Sequence, residues 1–450
     1  MLFQDVDALR SYLEKRKVDV KRLRWNPPAV FWRGRWRRIA GFRYAQGGVE
    51  LRLRGGGSCK LFGSRTAPGR RKEQTPALLN LVGRLFRPLQ PLRVRSGTDR
   101  RRHQSGAFLR ILMGRTRPEI AVAAVFPGVG QVLVHRLLAS VALWWDSLQG
   151  RGLDRVAVLI PGDWGERLVR LLDHLAIPLE CYRYRSLQTP DCTQIFPRAV
   201  SVSAIDPAYV VYPFQGQGKA ELSEIRDRFP DLDLLFRSSR WELSFRGLPV
   251  AWEDGGACWF DFFQPAEWSG REWSEFERHL ADVVRCRSFP PPDPASAWYR
   301  FMPERWLESE ILRRRLEIDA TLGDAFYCQV PSFLDGERGI LDILTADVSG
   351  IPVVMEIKVE KSLEIIFQGL EYRDRVQEHL RRGDLARSGY FPDSPIAAIA
   401  PKLKLVTPLF EVHRVVPVIR KHLTRVEPME WIGVNSNWKR RLRVLRKMSI

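Results

Sequence analysis

The chain has 450 residues, 45% of them hydrophobic, which is enough to build two or three apolar cores. Its formal net charge of +20 predicts a polyanionic partner. Composition also excludes several classes. Six cysteines are scattered without a Cys-x-x-Cys pair and seven histidines show no His-x-x-x-His, so neither structural zinc nor a disulfide framework is expected.

Most of the excess charge sits early. From Phe31 to Arg117 there are 22 lysines and arginines against Glu50, Glu73 and Asp99. Val30 to Tyr44 and Val49 to Arg54 read as two strands joined at Gln46-Gly47-Gly48. Arginines there alternate with Trp32, Trp36, Phe42 and Tyr44. Guanidinium groups match phosphate bidentately and aromatic faces stack on unpaired bases, so a basic, β-rich nucleic-acid-binding region is expected over residues 1–117. Its contact candidates are Arg33, Arg35, Arg37, Arg38, Arg70, Arg71, Lys72, Arg100, Arg101 and Arg102. The same alternation also describes a half-buried strand, and both can hold together.

Residues 118–288 read as an α/β domain. Ile120 to Phe126, Val156 to Ile160 and Leu179 to Tyr184 have strand character, with helices Gln131 to Ser147 and Asp163 to Leu175 between them, which predicts a parallel, doubly wound, Rossmann-like sheet. Gly128-Val129-Gly130 lacks the third glycine of a dinucleotide loop, since Leu133 stands there, and is read as a loop and helix start. Asp163 with Glu166 reads as a capping box. Pro127, Gly128, Gly130 and Arg136 interrupt the most apolar stretch, Ile120 to Trp145, so no membrane span is expected. Trp241 to Phe262 has hairpin character with turns at Arg246-Gly247 and Asp254-Gly255-Gly256, and a helix ending near Arg285 follows. The proline run Phe289 to Pro294 is read as a stiff linker over 289–297.

The last part, 298–450, carries the chemistry. Ile340 to Leu344 is apolar except for Asp342, and Val353 to Val359 except for Glu356 and Lys358. Side chains i and i+2 of a strand share a face, so Glu356 and Lys358 point the same way. Asp347-Val348-Ser349-Gly350 is turn chemistry, which makes the two strands a hairpin and brings Asp342 beside Glu356. Two carboxylates on an apolar sheet call for a compensating cation, and a hard divalent ion, Mg²⁺ or Mn²⁺, suits them. Standing alone, Glu-x-Lys on a strand is an ordinary ion pair of the fold. On the helix Ser362 to Leu380, Gln368 and Tyr372 stand one turn apart and share an edge.

These residues resemble the PD-(D/E)XK nuclease superfamily, with Gln368-Gly369-Leu370-Glu371-Tyr372 similar to the Gln-x-x-x-Tyr element of its RecB-like branch and Arg338-Gly339-Ile340-Leu341-Asp342 similar to the NucS-like mismatch endonucleases. Leu341 replaces the proline of the family pattern. The resemblance covers about Trp298 to Ile450 and implies a restriction-endonuclease-like α/β fold, Asp342 and Glu356 as metal ligands, Lys358 as catalytic lysine, and Gln368 with Tyr372 as substrate or water contacts. It also places an acidic residue on the preceding helix, Pro303 to Ile318. Glu308 falls beside the apolar positions Ile311, Leu312 and Leu316 and is chosen as the third metal ligand; Glu310 falls among Arg313, Arg314 and Glu317 and reads as solvated.

Strand Ala397 to Ala400, helix Phe410 to Leu423 and strand Trp431 to Val434 are expected to complete the module, and Trp438 to Arg443 reads as a solvated helix end or a second basic patch. Met1 to Arg10 shows no signal-peptide pattern, since it holds Asp5 and Asp7. The expected protein is thus an α/β multidomain, cytoplasmic or nucleoid-associated, Mg²⁺-dependent nuclease acting on DNA in repair or defence. A catalytically idle nucleic-acid binder and a ligand-gated or RNA-directed nuclease are the alternatives.

Overall fold

A computed structural model describes residues 23–25, 28–32, 35–45, 48–53, 58–62 and 68–449, apart from 100–103, 130–132, 189–190, 197–201, 206–219, 238–239, 255, 262–264, 335–336, 395 and 425–428. The protein is mixed α/β, with four sheets among the described residues. It divides into two compact units, Met1–Arg198 with Lys421–Thr424, and Ala199–Arg420 with Arg425–Ile450. No described helix is long and apolar enough to cross a membrane.

The first unit opens with an antiparallel sheet in sequential order, β1 (Leu23–Trp25), β2 (Pro28–Trp32), β3 (Arg35–Ala45), β4 (Gly48–Leu53) and β5 (Ser58–Phe62). Helix α1 (Pro68–Leu85) leads to a second sheet of β6 (Gln90–Arg95), β7 (Phe108–Gly114), β8 (Pro118–Val125), β9 (Arg155–Pro161), β10 (Leu179–Tyr184) and β11 (Cys192–Ile195). Strands β8, β9 and β10 are parallel, joined through α2 (Val134–Asp146) and α3 (Gly165–Leu172), as their continuous apolar runs suggest. Strand order follows chain order throughout, so the sheet has no reversal point and is not doubly wound. Helices α2 and α3 pack on each other, as follows when two crossovers of the usual right hand advance in one direction and so lie on one face of the sheet. A boundary between 117 and 118 would cut the β7–β8 hairpin, whose pairing runs in register from Phe108–Val125 to Met113–Ile120 and, after one register shift, closes at Gly114–Pro118. Helix α3 starts after Trp164, which makes no side-chain cap and whose indole nitrogen donates to the Val129 carbonyl at 2.6 Å; the side chains of the expected box, Asp163 and Glu166, lie outside the described residues.

In the second unit, β12 (Val202–Ile205) precedes α4 (Ala220–Arg228) and an antiparallel sheet of β13 (Asp233–Arg237), β14 (Arg240–Phe245), β15 (Leu248–Asp254), β16 (Ala257–Phe260) and β17 (Ala266–Trp268). Helix α5 (Trp273–Cys286) covers this sheet through Phe276, Leu280 and Val283. Helix α6 (Pro303–Arg313) then leads into β18 (Leu322–Leu334), β19 (Glu337–Asp347), β20 (Pro352–Ile357), α7 (Ile365–Arg381), β21 (Lys402–Pro408), β22 (Met429–Val434) and β23 (Val444–Ser449). Their sheet runs β12-β18-β19-β20-β21-β22-β23, antiparallel except for β20, β21 and β22, which lie parallel. It therefore recruits β12 from ahead of the proline run, and 298 is not where the module begins. Nor is 289–297 a linker between compact bodies, since both of its flanks belong to one unit.

Arg287 shows what holds that segment. Its fully buried guanidinium donates to the carbonyls of Trp298 and Phe301, both at 2.8 Å, and of Arg246 at 2.8 Å, closing a ring around the proline run. Further along, Ala397 to Ala400 lies in irregular backbone before β21, helix Phe410 to Leu423 shrinks to Val416–Lys421, and Trp438 in a turn and Leu442 in irregular backbone are buried before β23 rather than forming a solvated helix end.

Arg246 (φ 49) and Gly247 (φ 72) make the two-residue β14–β15 turn, both in the left-handed region that type I′ geometry requires. A Cβ on Gly247 would stand 2.1 Å from the Arg305 carbonyl oxygen, backbone of α6. Gly247→Ala is therefore expected to lower the urea unfolding free energy by about 2 kcal/mol or more. A loss within about 0.5 kcal/mol would mean that α6 is not seated on this turn.

Candidate active site

Helix α6 and helix α7 cover opposite faces of the seven-stranded sheet. Ile343, Val353, Met355 and Ile357 share a core with Trp306, Leu307, Ile311 and Leu312 of α6. Strand alternation turns Asp342 and Glu356 the other way, towards α7. Gly369 lets that helix come close: a Cβ there would lie 2.8 Å from Leu405 Cδ2 and 3.0 Å from Leu403 Cδ1.

The antiparallel ladder between β19 and β20 stops at Ile343–Met355. One step further Asp342 stands across from Glu356, and the Asp342 Oδ2 takes over the ladder's work by accepting the Ile357 amide at 2.8 Å. Lys358 Nζ donates to Glu356 Oε1 at 2.5 Å and reaches the Ile357 carbonyl at 3.3 Å. Glu356 is completely buried, and its second oxygen, Oε2, has no hydrogen-bond partner among the described residues. Burial, and then the neighbouring Asp342 carboxylate, push its carboxyl up to about 8 although Lys358 pulls the other way. For Lys358 burial works against the charged form, but Glu356 and Asp342 outweigh it and hold the ammonium well above the ordinary lysine value. The two directions agree on one picture: a single ammonium cannot neutralise both carboxylates, so the cation-free site keeps an extra proton on Glu356.

Gln368 Nε2 donates to the Tyr372 hydroxyl at 3.3 Å, as their one-turn spacing allows. Burial raises the Tyr372 phenol, and the charges of Glu356, Glu371 and Asp342 raise it further, so its ring sits within the field of the carboxylates. Glu308 is 1% exposed and joins the group through a residue that the sequence did not single out. Gln329 Nε2 donates to Glu308 Oε2 at 2.6 Å and to Asp342 Oδ1 at 3.2 Å. The two oxygens therefore lie no farther apart than those two bonds allow. Gln329 holds a left-handed backbone (φ 53) in mid-strand, an unfavourable conformation for a non-glycine residue that turns its amide between the two carboxylates. Glu304, one turn before Glu308, was also missed; burial raises its carboxyl, Lys358 lowers it, and Asp342 and Glu360 raise it. A second carboxylate at helical spacing from Glu308 was the signal that could have found it.

The structure thus gathers Glu308, Asp342, Glu356, Lys358, Gln368 and Tyr372, and adds Gln329 and Glu304. Glu310, expected in solvent, is 8% exposed, with Oε2 3.6 Å from Arg314 Nε. Among the described residues no three carboxylate, imidazole or thiolate groups stand close enough to enclose an ion by themselves. The donor set still fits Mg²⁺, which is commonly bound by one or two carboxylates with water and substrate phosphate completing its shell. The orphaned Glu356 Oε2 is the observation that carries this fit.

Beneath α7 lies a different series. Ser332 Oγ and His379 Nε2 are 3.0 Å apart, and His379 Nδ1 and Asp384 Oδ2 2.9 Å. Ser332 and His379 are wholly enclosed, and Arg375 donates to the Ser332 carbonyl at 2.8 Å while pairing with Glu371 at 2.5 Å. An enclosed serine meets no substrate, so this network ties α7 to β18.

Of the basic candidates, Arg35, Arg37 and Arg38 lie in β3, Arg70 in the first turn of α1, and Lys72 is exposed on the same helix. Arg71 is half-buried and donates to the Gly106 carbonyl at 3.1 Å, a bond that pins a loop. Arg33, Arg100, Arg101 and Arg102 lie outside the described residues. No family model matches the chain, and no curated protein sequence is significantly similar to it.

A raised carboxyl means that the native state keeps a proton that the unfolded chain has released. Stability in the absence of divalent ions should therefore fall as pH rises from the ordinary carboxyl range through about 8, by at most about 1.4 kcal/mol per pH unit. Glu356→Gln should remove that slope. Urea titrations in EDTA at several pH values between about 5 and 8 read it directly, and parallel slopes for both proteins would refute the assignment.

Proposed function

We propose that the second unit hydrolyses phosphodiester bonds in nucleic acid, with DNA as the substrate, through a PD-(D/E)XK-type site in a restriction-endonuclease-like α/β module, and that the basic, β-rich start of the chain grips the backbone. What supports this best is the meeting of Asp342 and Glu356 with Lys358 at the splayed end of β20, where one buried carboxylate oxygen lacks a partner. A buried carboxylate oxygen without a partner costs free energy that a bound cation would offset.

Asp342 and Glu356 would hold a divalent cation, with Glu308 beside them. When bound, such an ion supplies positive charge to the phosphodiester oxygens and makes a water more acidic. The residues of the chain do the rest. The amide of Gln329 keeps Glu308 and Asp342 facing one point, while the Ile357 amide fixes the rotation of the Asp342 carboxylate. Without a bound cation the carboxylates of Glu356 and Asp342 hold the proton on Lys358, and from its place beside Glu356 the amine would orient the attacking water or the phosphate oxygen or help to deprotonate that water. Tyr372 likewise stays protonated and serves with Gln368 as a neutral donor to the phosphate. Net positive charge raises the rate of encounter with a polyanion and makes binding strongly salt-dependent.

The purified chain should cut single- or double-stranded DNA with Mg²⁺ or Mn²⁺ and not in EDTA. Glu356→Ala and Lys358→Ala should each lower the single-turnover rate by about 100-fold or more while DNA binding in EDTA changes less than about threefold. Cutting that survives both changes would refute the site, cutting of RNA alone would refute the choice of DNA, and binding without cutting would identify the protein as an idle binder.

A further inference from the structure

A second cluster of cations lies in the first unit and takes no part in the site above. Strands β6 and β7 pair with Arg95 directly opposite Arg110 and Arg93 opposite Leu112, so Arg93, Arg95 and Arg110 face the same side of the sheet. With Arg151, which follows α2, they line a cleft of about 40 Å³ that also takes in Trp144, Ser147 and Gln104. The cleft shares Arg95 and Arg110 with a broad depression of about 710 Å³ lined by Ser96, Gly97, Thr98 and Asp99. Four arginines thus line the cleft with no carboxylate among its described lining residues, and the depression adds one, Asp99. Arginines directly opposed across an antiparallel pair offer an anion attraction from both strands.

The wall of the cleft is built rather than incidental. Asp99 and Gln104 exchange both backbone hydrogen bonds, at 3.0 and 2.9 Å. Arg110, 6% exposed, donates to the Gly97 carbonyl at 3.0 Å, and Gln104 Nε2 donates to the Ser140 carbonyl of α2 at 3.1 Å. Gly106 packs so closely that a Cβ would stand 3.0 Å from Thr98 Oγ1. Arg71 holds the carbonyl of that same glycine.

We propose that Arg93, Arg95, Arg110 and Arg151 form a phosphate seat for a single-stranded stretch of nucleic acid, with the half-buried ring of Trp144 offered to a base. This rests on the nucleic-acid reading of the chain. The cleft is far smaller than the several hundred Å³ needed to enclose a nucleotide, and the depression beside it is wide, which suits a polymer crossing the surface and not a swallowed small molecule.

The test compares the full-length protein with Arg95→Gln/Arg151→Gln, and with Arg226→Gln/Arg285→Gln as a control of equal charge change in the second unit. Fluorescence anisotropy of a labelled single-stranded oligonucleotide, in EDTA and over a series of salt concentrations, gives affinity and salt slope. The seat predicts binding weakened by about tenfold at low salt and a log–log salt slope shallower by roughly 1.4 for the first double variant only, at about 0.7 per lost contact. Trp144→Leu, which leaves every cation in place, should lower the quenching of a 2-aminopurine base in the same oligonucleotide without changing the slope. An unchanged slope in Arg95→Gln/Arg151→Gln overturns the seat, as does an equal loss in the control. Adenosine monophosphate displacing the oligonucleotide at comparable concentration overturns the polymer as its ligand. If the unaltered protein binds no nucleic acid at all, the nucleic-acid reading fails as a whole; if it binds and cuts while Arg95→Gln/Arg151→Gln behaves like it, only the seat fails.

Discussion

Everything in the second unit that bears on chemistry depends on where the β19–β20 ladder stops. Up to Ile343–Met355 the two strands satisfy each other's backbone groups; beyond it the Asp342 carboxylate stands in for a carbonyl and accepts the Ile357 amide. A regular continuation would bury Asp342 and Glu356 side by side as unrelieved like charges. Splaying the strands gives Asp342 a backbone donor and leaves room for Lys358 to fold back on Glu356. What this arrangement leaves without a hydrogen-bond partner among the described residues is Glu356 Oε2.

The parts legible in the sequence are those set by local periodicity. Glu356 and Lys358 share a face because strands repeat every two residues, Gln368 and Tyr372 share an edge because helices repeat every 3.6, and the Asp347–Gly350 turn fixes which residue meets Glu356. In that turn Asp347 Oδ1 accepts the amides of Ser349 and Ile351, both at 2.9 Å. Gln329 could not be read this way. It acts through a left-handed backbone and through partners 13 and 21 residues away, and neither leaves a local signal. The pairing of Ile205 with Ser332 is more distant still, so the first strand of the seven-stranded sheet was assigned to the wrong domain. In the first unit the three parallel strands followed from their apolar runs. Their order did not, because reversal or its absence depends on which edge each crossover chooses, not on residue pattern. Arg71 shows the same limit for charge: composition counts it among phosphate contacts, whereas its guanidinium serves a loop carbonyl.

Helix α6 carries Glu304 and Glu308, so its seating decides whether those carboxylates reach Asp342. Beneath its first turn the supporting groups are cations with aromatic and carbonyl partners. Arg287 stacks on the Trp306 ring at 4.7 Å and lowers its own cost of burial through three carbonyl acceptors at 2.8 Å, though burial and the nearby Arg246 still bring its guanidinium down to about 9. Lys439 stands 3.8 Å over the Tyr299 ring and 4.8 Å over Trp306, and burial, then Arg287, lower its ammonium to about 8. Ring faces and carbonyls stabilise a cation without introducing another ionised carboxylate near the site. A carboxylate in that position would add to the burial and, after it, the carboxylate repulsion that already raise Glu356 and Glu304. The cation–aromatic seat therefore fixes the helix that carries Glu304 and Glu308 without setting a further carboxylate beside them.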